Sequence, residues 1–114
     1  MSRAALKHDV FSAIAEPRRR DIIVMLSSGQ SHAVGEIVAA LRISQPSVSK
    51  HLGVLRTVGI VSVSKQGQHR FYRLNAKELK PVHDWLTTFK RFWGHQVDRI
   101  KQRAERKAKS RAAD

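Results

Sequence analysis

The stretch Ser44-Gln45-Pro46-Ser47-Val48-Ser49-Lys50-His51-Leu52-Gly53-Val54-Leu55 constrains this chain more than any other part of it. Ser44 suits a helix N-cap, where its hydroxyl accepts an orphan amide proton of the first turn. Pro46 falls inside that turn, where its missing N–H costs nothing. Val48, Leu52 and Leu55 then recur at helical spacing and form one apolar stripe. The other face carries Gln45, Ser47, Ser49, Lys50 and Arg56, and Gly59 stands where a left-handed residue commonly ends a helix. Such a helix buries its stripe on a domain and offers a slim, polar, basic face that fits a DNA major groove.

The flanking residues extend that helix into a larger unit. Upstream, Val34, Ile37, Val38 and Leu41 form a second amphipathic run, joined to Ser44 through the short link Arg42-Ile43, so the pair reads as a helix-turn-helix. Downstream, Ile60 to Lys65 and His69 to Leu74 alternate with period two around Gln66-Gly67-Gln68, which predicts a β-hairpin. Lys65, Gln68, His69 and Arg70 lie at its tip and flanks and make it a basic wing.

In four blocks the chain resembles the ArsR-type winged-helix transcriptional regulators. These are Phe11 to Arg20 (FSAIAEPRRR), Ile43 to Leu52 (ISQPSVSKHL), Leu55 to Val61 (LRTVGIV) and Gly67 to Leu74, in the family's order and at its spacings. The resemblance implies a homodimer that binds an operator through the recognition helix and wing, and that usually represses.

Length and charge agree with one compact DNA-binding domain. The chain has 114 residues, and its 22 Lys and Arg against 9 Asp and Glu give a formal net charge of +13. So basic a small domain associates with polyanions, nucleic acid first among them. Without Cys there is neither a disulfide framework nor a thiol switch. The N-terminus lacks an apolar signal core and no run reaches membrane-spanning length, so the expected location is the bacterial cytoplasm, associated with the nucleoid.

The expected architecture is mainly α with a two-stranded hairpin, in the order α-α-α-α-β-β-α, ending on a long helix. A first helix over about residues 6–15 places Leu6, Val10, Phe11 and Ile14 on one face. Pro17 opens the second, whose Ile22, Ile23 and Leu26 point inward until Ser28-Gly29-Gln30 ends it. After the wing, Asn75 is an expected N-cap with Glu78 completing a capping box, and Pro81 marks a first turn or a kink.

The last helix carries Val82, Trp85, Leu86, Phe89, Phe92, Trp93, Val97 and Ile100, more apolar surface than one small domain can cover. Leu79, Val82, Leu86, Phe89, Trp93 and Ile100 follow steps of three and four, with Gln96 filling one place. This heptad-like set is the expected homodimer seam, with the first helix as its partner element. Beyond it Arg99, Lys101, Arg103, Arg106, Lys107, Lys109 and Arg111 face a single Glu105. Residues 1–100 therefore read as a winged-helix and dimerisation domain, and residues 101–114 as a basic extension. That extension is either a solvated helix end or an arm for DNA backbone.

Six His raise the question of a metal. In metal-sensing members of the family thiolates flank the Val of a Cys-Val-Cys-Asp-Leu-like run, where this chain has Ala33-Val34-Gly35. A second family site, on the last helix, falls here on Ala76, Glu78, Phe89 and Phe92. Neither set suits a metal. Asp84, His95 and Asp98 repeat part of that spacing farther on, with donor types that suit zinc, although such residues also make an ordinary solvated face. No cofactor and no metal effector are expected.

An enzymatic role lacks parts: His51 and His69 have no Cys nucleophile, paired carboxylates or phosphate-cradling glycine loop near them in the pattern. Arg18, Arg19 and Arg20 could meet phosphate, or could decorate the second helix with a salt bridge to Glu16 or Asp21. The expected DNA-contacting set is thus Ser44, Gln45, Ser47, Val48, Ser49, Lys50, His51 and Arg56 from the helix with Lys65, Gln68, His69 and Arg70 from the wing. The expected partners are double-stranded operator DNA and a second copy of the chain, with no membrane. The alternatives are a protein-interaction scaffold, or a nucleic-acid binder without sequence preference.

Overall fold

The computed structural model describes residues 9–113, and within them every side chain except those of 95–98 and 110–113. The chain divides after Val82 into two units, which are treated in turn.

In the first unit each helix starts and stops for a local reason. Helix α1 (Val10–Ile14) begins at Asp9, whose carboxylate accepts the Ser12 N–H at 2.7 Å. It is shorter than the expected span, of which residues 6–8 lie outside the described residues. Helix α2 (Pro17–Met25) opens on Pro17, with Glu16 Oε1 accepting the Arg18 N–H at 3.1 Å. It tightens into a 3-10 turn over Leu26–Ser28 and stops at Gly29, φ +86°. Helix α3 (Val34–Leu41) is preceded by the two-residue strand β1 (His32–Ala33) and ends on Arg42 in the left-handed region, φ +55°. Glu36 holds its start: Oε1 accepts the Ala33 N–H at 3.1 Å and Oε2 lies 3.0 Å from His32 Nδ1. These two bonds, the backbone one foremost, keep the Glu36 carboxyl below its usual range.

Helix α4 (Gln45–Thr57) is the expected recognition helix, and the hairpin is β2 (Val61–Gln66) with β3 (His69–Leu74). The sheet has three antiparallel strands in the order β1-β3-β2, not two, with His32 opposite Tyr72 and Ala33 opposite Phe71. A strand of two residues has no periodicity to read, which is why it escapes a pattern search.

The core of this unit gathers one stripe from each element. Ala13, Ile22, Leu26, Ile37, Val48, Leu52, Leu55, Ile60, Val61 and Tyr72 are buried, and Leu79 packs against them. Each large aliphatic side chain so buried contributes about 1.5–3 kcal/mol by removing apolar surface from water. Asn75 departs from expectation. Its side chain caps nothing; Nδ2 donates to the carbonyl of Gly59 at 3.0 Å, and Ala76–Leu79 is a 3-10 turn.

The apolar-rich C-terminal stretch is two helices, α5 (Lys80–Thr87) and α6 (Lys90–Ala113). In the second unit, residues 83–114, Thr87 donates its hydroxyl to the His83 carbonyl at 2.8 Å, and the Phe92 N–H bonds the Phe89 carbonyl as α6 begins. Trp85 and Phe89 meet edge to face with ring centres 5.2 Å apart, and the Arg91 guanidinium lies 4.9 Å from the centre of the Phe92 ring. Trp85, Leu86, Phe89, Phe92, Trp93 and Ile100 are all exposed, Phe92 and Ile100 by about 70% (68% and 70%).

Candidate nucleic-acid interface

Ser44 starts the recognition helix by accepting the Ser47 N–H at 3.4 Å, and the two hydroxyls meet at 3.1 Å. Its stripe, Val48, Leu52 and Leu55, is fully buried. Val48 therefore leaves the expected contact set: it anchors the helix to the core and cannot reach a groove. Gln45, Ser49, Lys50 and Arg56 are exposed, while Ser47 and His51 are half-buried along one flank. Pro46, Gly53 and Thr57 share the exposed face, a surface that attention to polar residues overlooks. Gly53 is the informative one. A Cβ there would meet nothing within 4 Å, so no packing explains a glycine in mid-helix, where it costs about 1 kcal/mol relative to alanine. What it does supply is a helix surface that a base edge or sugar can approach closely.

At the other end, Gly59 at φ +85° lets the Ile60 N–H return to the Leu55 carbonyl at 2.9 Å and turns the chain into the wing. The two-residue loop Gly67-Gln68 carries its positive φ, +65°, at Gly67 alone, as a type II′ turn does. Lys65, Gln68, His69 and Arg70 are all exposed. Lys65 and Arg70 are direct cross-strand partners. Two cations facing each other weaken a hairpin unless an anion lies against them.

The arginine cluster divides. Arg20 Nη1 donates to the carbonyls of Ile14 at 2.7 Å and Ala15 at 3.1 Å. Arg19 Nε donates to the Ala13 carbonyl and Nη2 to that of Ser12 at 3.3 Å, while Nη1 lies 3.4 Å from His51 Nδ1. Both side chains bond carbonyls at and just beyond the end of α1 rather than the carboxylates of Glu16 or Asp21. Arg18 is exposed. A sequence motif cannot show that i to i+6 reach, because it spans a chain reversal.

Of the expected dimer residues, Leu79 is partly buried and packs against the core of the first unit. Val82 is half-buried, and Leu86, Phe89, Trp93 and Ile100 are exposed. The series is not carried by one continuous helix, since α5 ends at Thr87 and α6 begins at Lys90. Ala33 and Gly35 flank the start of α3, while Ala76 and Glu78 lie in the 3-10 turn after the wing. Asp84 lies beside His83, with Oδ1 3.4 Å from Nδ1, and the side chains of His95 and Asp98 lie outside the described residues. Among the described residues no three His, Cys, Asp or Glu side chains come together as a metal site, and no helix is long and apolar enough to cross a membrane.

A capped, polar-faced helix backed by a core and followed by a basic hairpin defines a winged helix-turn-helix regulator of transcription, not an enzyme. The chain belongs to the ArsR family of bacterial regulatory proteins, whose model matches residues 16–63. It is 37% identical to the transcriptional repressor SdpR of Bacillus subtilis over 82 residues, 72% of this chain and 90% of that protein. It is 36% identical to the transcriptional activator HlyU of Vibrio cholerae, over 68% of this chain and 70% of that one. The crystal structure of the transcriptional repressor BigR from Xylella fastidiosa matches with a TM-score of 0.58 at 34% identity, covering 77% of this chain and 90% of its own.

Proposed function

We propose that the protein is a homodimeric repressor of the bacterial cytoplasm and nucleoid that reads a two-fold operator. The observation that carries this reading is the exposed face of α4, where Gln45, Ser49 and Lys50 surround the bare backbone of Gly53 next to a cationic wing. Gln45, Ser47 and Ser49 read base edges; Lys50, Arg56, Lys65, Gln68, His69 and Arg70 hold backbone. The exposed aromatic residues of the second unit supply the dimer seam, led by Phe89 and Trp93. Beyond Ile100, α6 carries no apolar side chain larger than Ala, and its cations add phosphate contacts without sequence preference.

The test is selection of bound fragments from genomic DNA at near-physiological salt. Recovery of a shared two-fold sequence supports the reading. Recovery of unrelated fragments in proportion to length would establish a non-specific binder, and retention of no DNA would point to a protein scaffold. Release of the operator through metal is not expected, because arsenite needs clustered thiolates and the chain has no Cys. Zinc, nickel or cobalt should leave the dissociation constant within a few-fold. A tenfold release by zinc that disappears in His95→Ala would instead make the Asp84, His95 and Asp98 group a sensor site.

A further inference from the structure

Arg19 sends its donors to two other elements. Two of its nitrogens grip the Ala13 and Ser12 carbonyls near the end of α1, and the third, Nη1, lies 3.4 Å from His51 Nδ1 on the recognition helix. A guanidinium has donors and no acceptor, so in this contact Nδ1 must accept. A histidine that accepts at Nδ1 is neutral and carries its proton on Nε2. The contact thus favours one tautomer of the ring over the other.

We propose that Arg19 is a positioning residue for the recognition helix: it fixes His51 as the Nε2–H tautomer, which then donates to a DNA phosphate from the half-buried flank of α4. The phosphate half of this inference rests on the operator-binding reading above, while the tautomer half is a property of the protein alone. The surroundings agree. Burial is the chief cause that holds the His51 ring below its usual value; Glu16 opposes it, and Arg19, Arg18 and Lys50 add to it. Glu16 Oε1 is committed to the Arg18 N–H, and its Oε2 is buried without a hydrogen-bond partner among the described residues. Among the described residues no carboxylate is hydrogen-bonded to the His51 ring, and Arg19, Arg18 and Lys50 act on it as cations against the single carboxylate of Glu16, a surplus that suits a phosphate. Because the same guanidinium holds the end of α1, movement of that helix would be felt at His51.

The decisive measurement is the pair of imidazole nitrogen shifts of His51 in the 15N-labelled, DNA-free protein at pH 8. The expected result is a protonated Nε2 and an unprotonated Nδ1, giving way to mixed tautomers in Arg19→Met. A ring protonated at Nδ1, or mixed already in the wild type, overturns the proposal. Operator affinity then tests the second half. His51→Ala should weaken binding roughly three- to tenfold, the size of one hydrogen bond, and His51→Gln, whose amide N–H reaches near the place of Nε2, should recover most of it. Arg19→Met should add no loss in the His51→Ala background. An equal loss in both backgrounds would mean that Arg19 acts on DNA directly and would sink the relay. Should Arg19→Met not fold, Arg19→Lys, which keeps the charge beside α1 but lacks the second and third nitrogens, takes its place in both measurements, and a tautomer and affinity unchanged in it would overturn the positioning role. If the tautomer is as expected while no sequence is bound preferentially, the operator reading fails and takes the phosphate half with it.

Discussion

Asn75 Nδ2 donates to the Gly59 carbonyl at 3.0 Å and so fastens the strand leaving the wing to the residue that ends the recognition helix. The backbone adds a second tie, from the Asn75 N–H to the Ile60 carbonyl at 2.8 Å, and Ser62 Oγ approaches Asn75 Oδ1 at 3.5 Å. The end of the recognition helix and the base of the wing are therefore joined through one residue that lies outside the expected DNA-contacting set.

Asn75→Ala removes the side-chain tie and leaves the Gly59 carbonyl short of a partner. Thermal or denaturant unfolding should show a loss of about 1–2 kcal/mol. Asn75→Asp should lose as much, because a carboxylate cannot donate. DNA binding should weaken beyond the loss of folded protein, measured at a temperature where both proteins are fully folded. Unchanged stability in both variants would show that the tie contributes nothing.

Gly53→Ala separates folding from recognition. The added methyl meets nothing in the protein, so helix propensity alone should raise stability by about 0.5–1 kcal/mol. If the bare backbone at Gly53 is there for close approach to DNA, operator affinity should fall in the same protein. Greater stability with unchanged affinity would refute the close-approach role.

How much of this was legible beforehand depends on the range of each interaction. The Ser44 cap, the Val48-Leu52-Leu55 stripe and the Gly67 turn are set by residues a few places apart, and so they could be read from spacing. The Asn75–Gly59 and Arg19–His51 contacts join residues 16 and 32 places apart, beyond any local pattern. Val48 illustrates a different limit: it lies within the recognition motif, yet its own apolar character already placed it on the buried side. The seam series runs across the break between α5 and α6 because Thr88 and Phe89 interrupt the helix without any Pro or Gly to announce it.

Charge and readout should separate within the proposed interface. Arg70→Ala should weaken binding to operator and random DNA alike and flatten the plot of log K against log salt by about 0.9 for each phosphate no longer neutralised. Gln45→Ala and Ser49→Ala should instead lower the ratio of operator to random affinity, by about 1–3 kcal/mol for a good base contact. Equal effects of all three on that ratio would reject the division of roles.

The aromatic residues of the second unit make the dimer testable. Phe89→Glu or Trp93→Glu places a charge where the seam would exclude water. Sedimentation should show a monomer, with operator binding abolished because one half-site holds the protein too weakly. A wild-type protein that remains monomeric at micromolar concentration while binding its operator tightly would exclude the seam.

The facing pair Lys65 and Arg70 has a consequence for the hairpin itself. In the free protein the two cations repel each other across a ladder that is paired out to Gln66 and His69, so added salt, by screening them, should stabilise the wing. In the proposed complex, salt would instead weaken the contacts of these residues with phosphate. Ionic strength should thus act with opposite sign on the stability of the wing and on its proposed hold on DNA. The proposed grip on DNA should therefore be strongest at low salt, where the free wing bears most of this repulsion and a phosphate between the two cations would relieve it.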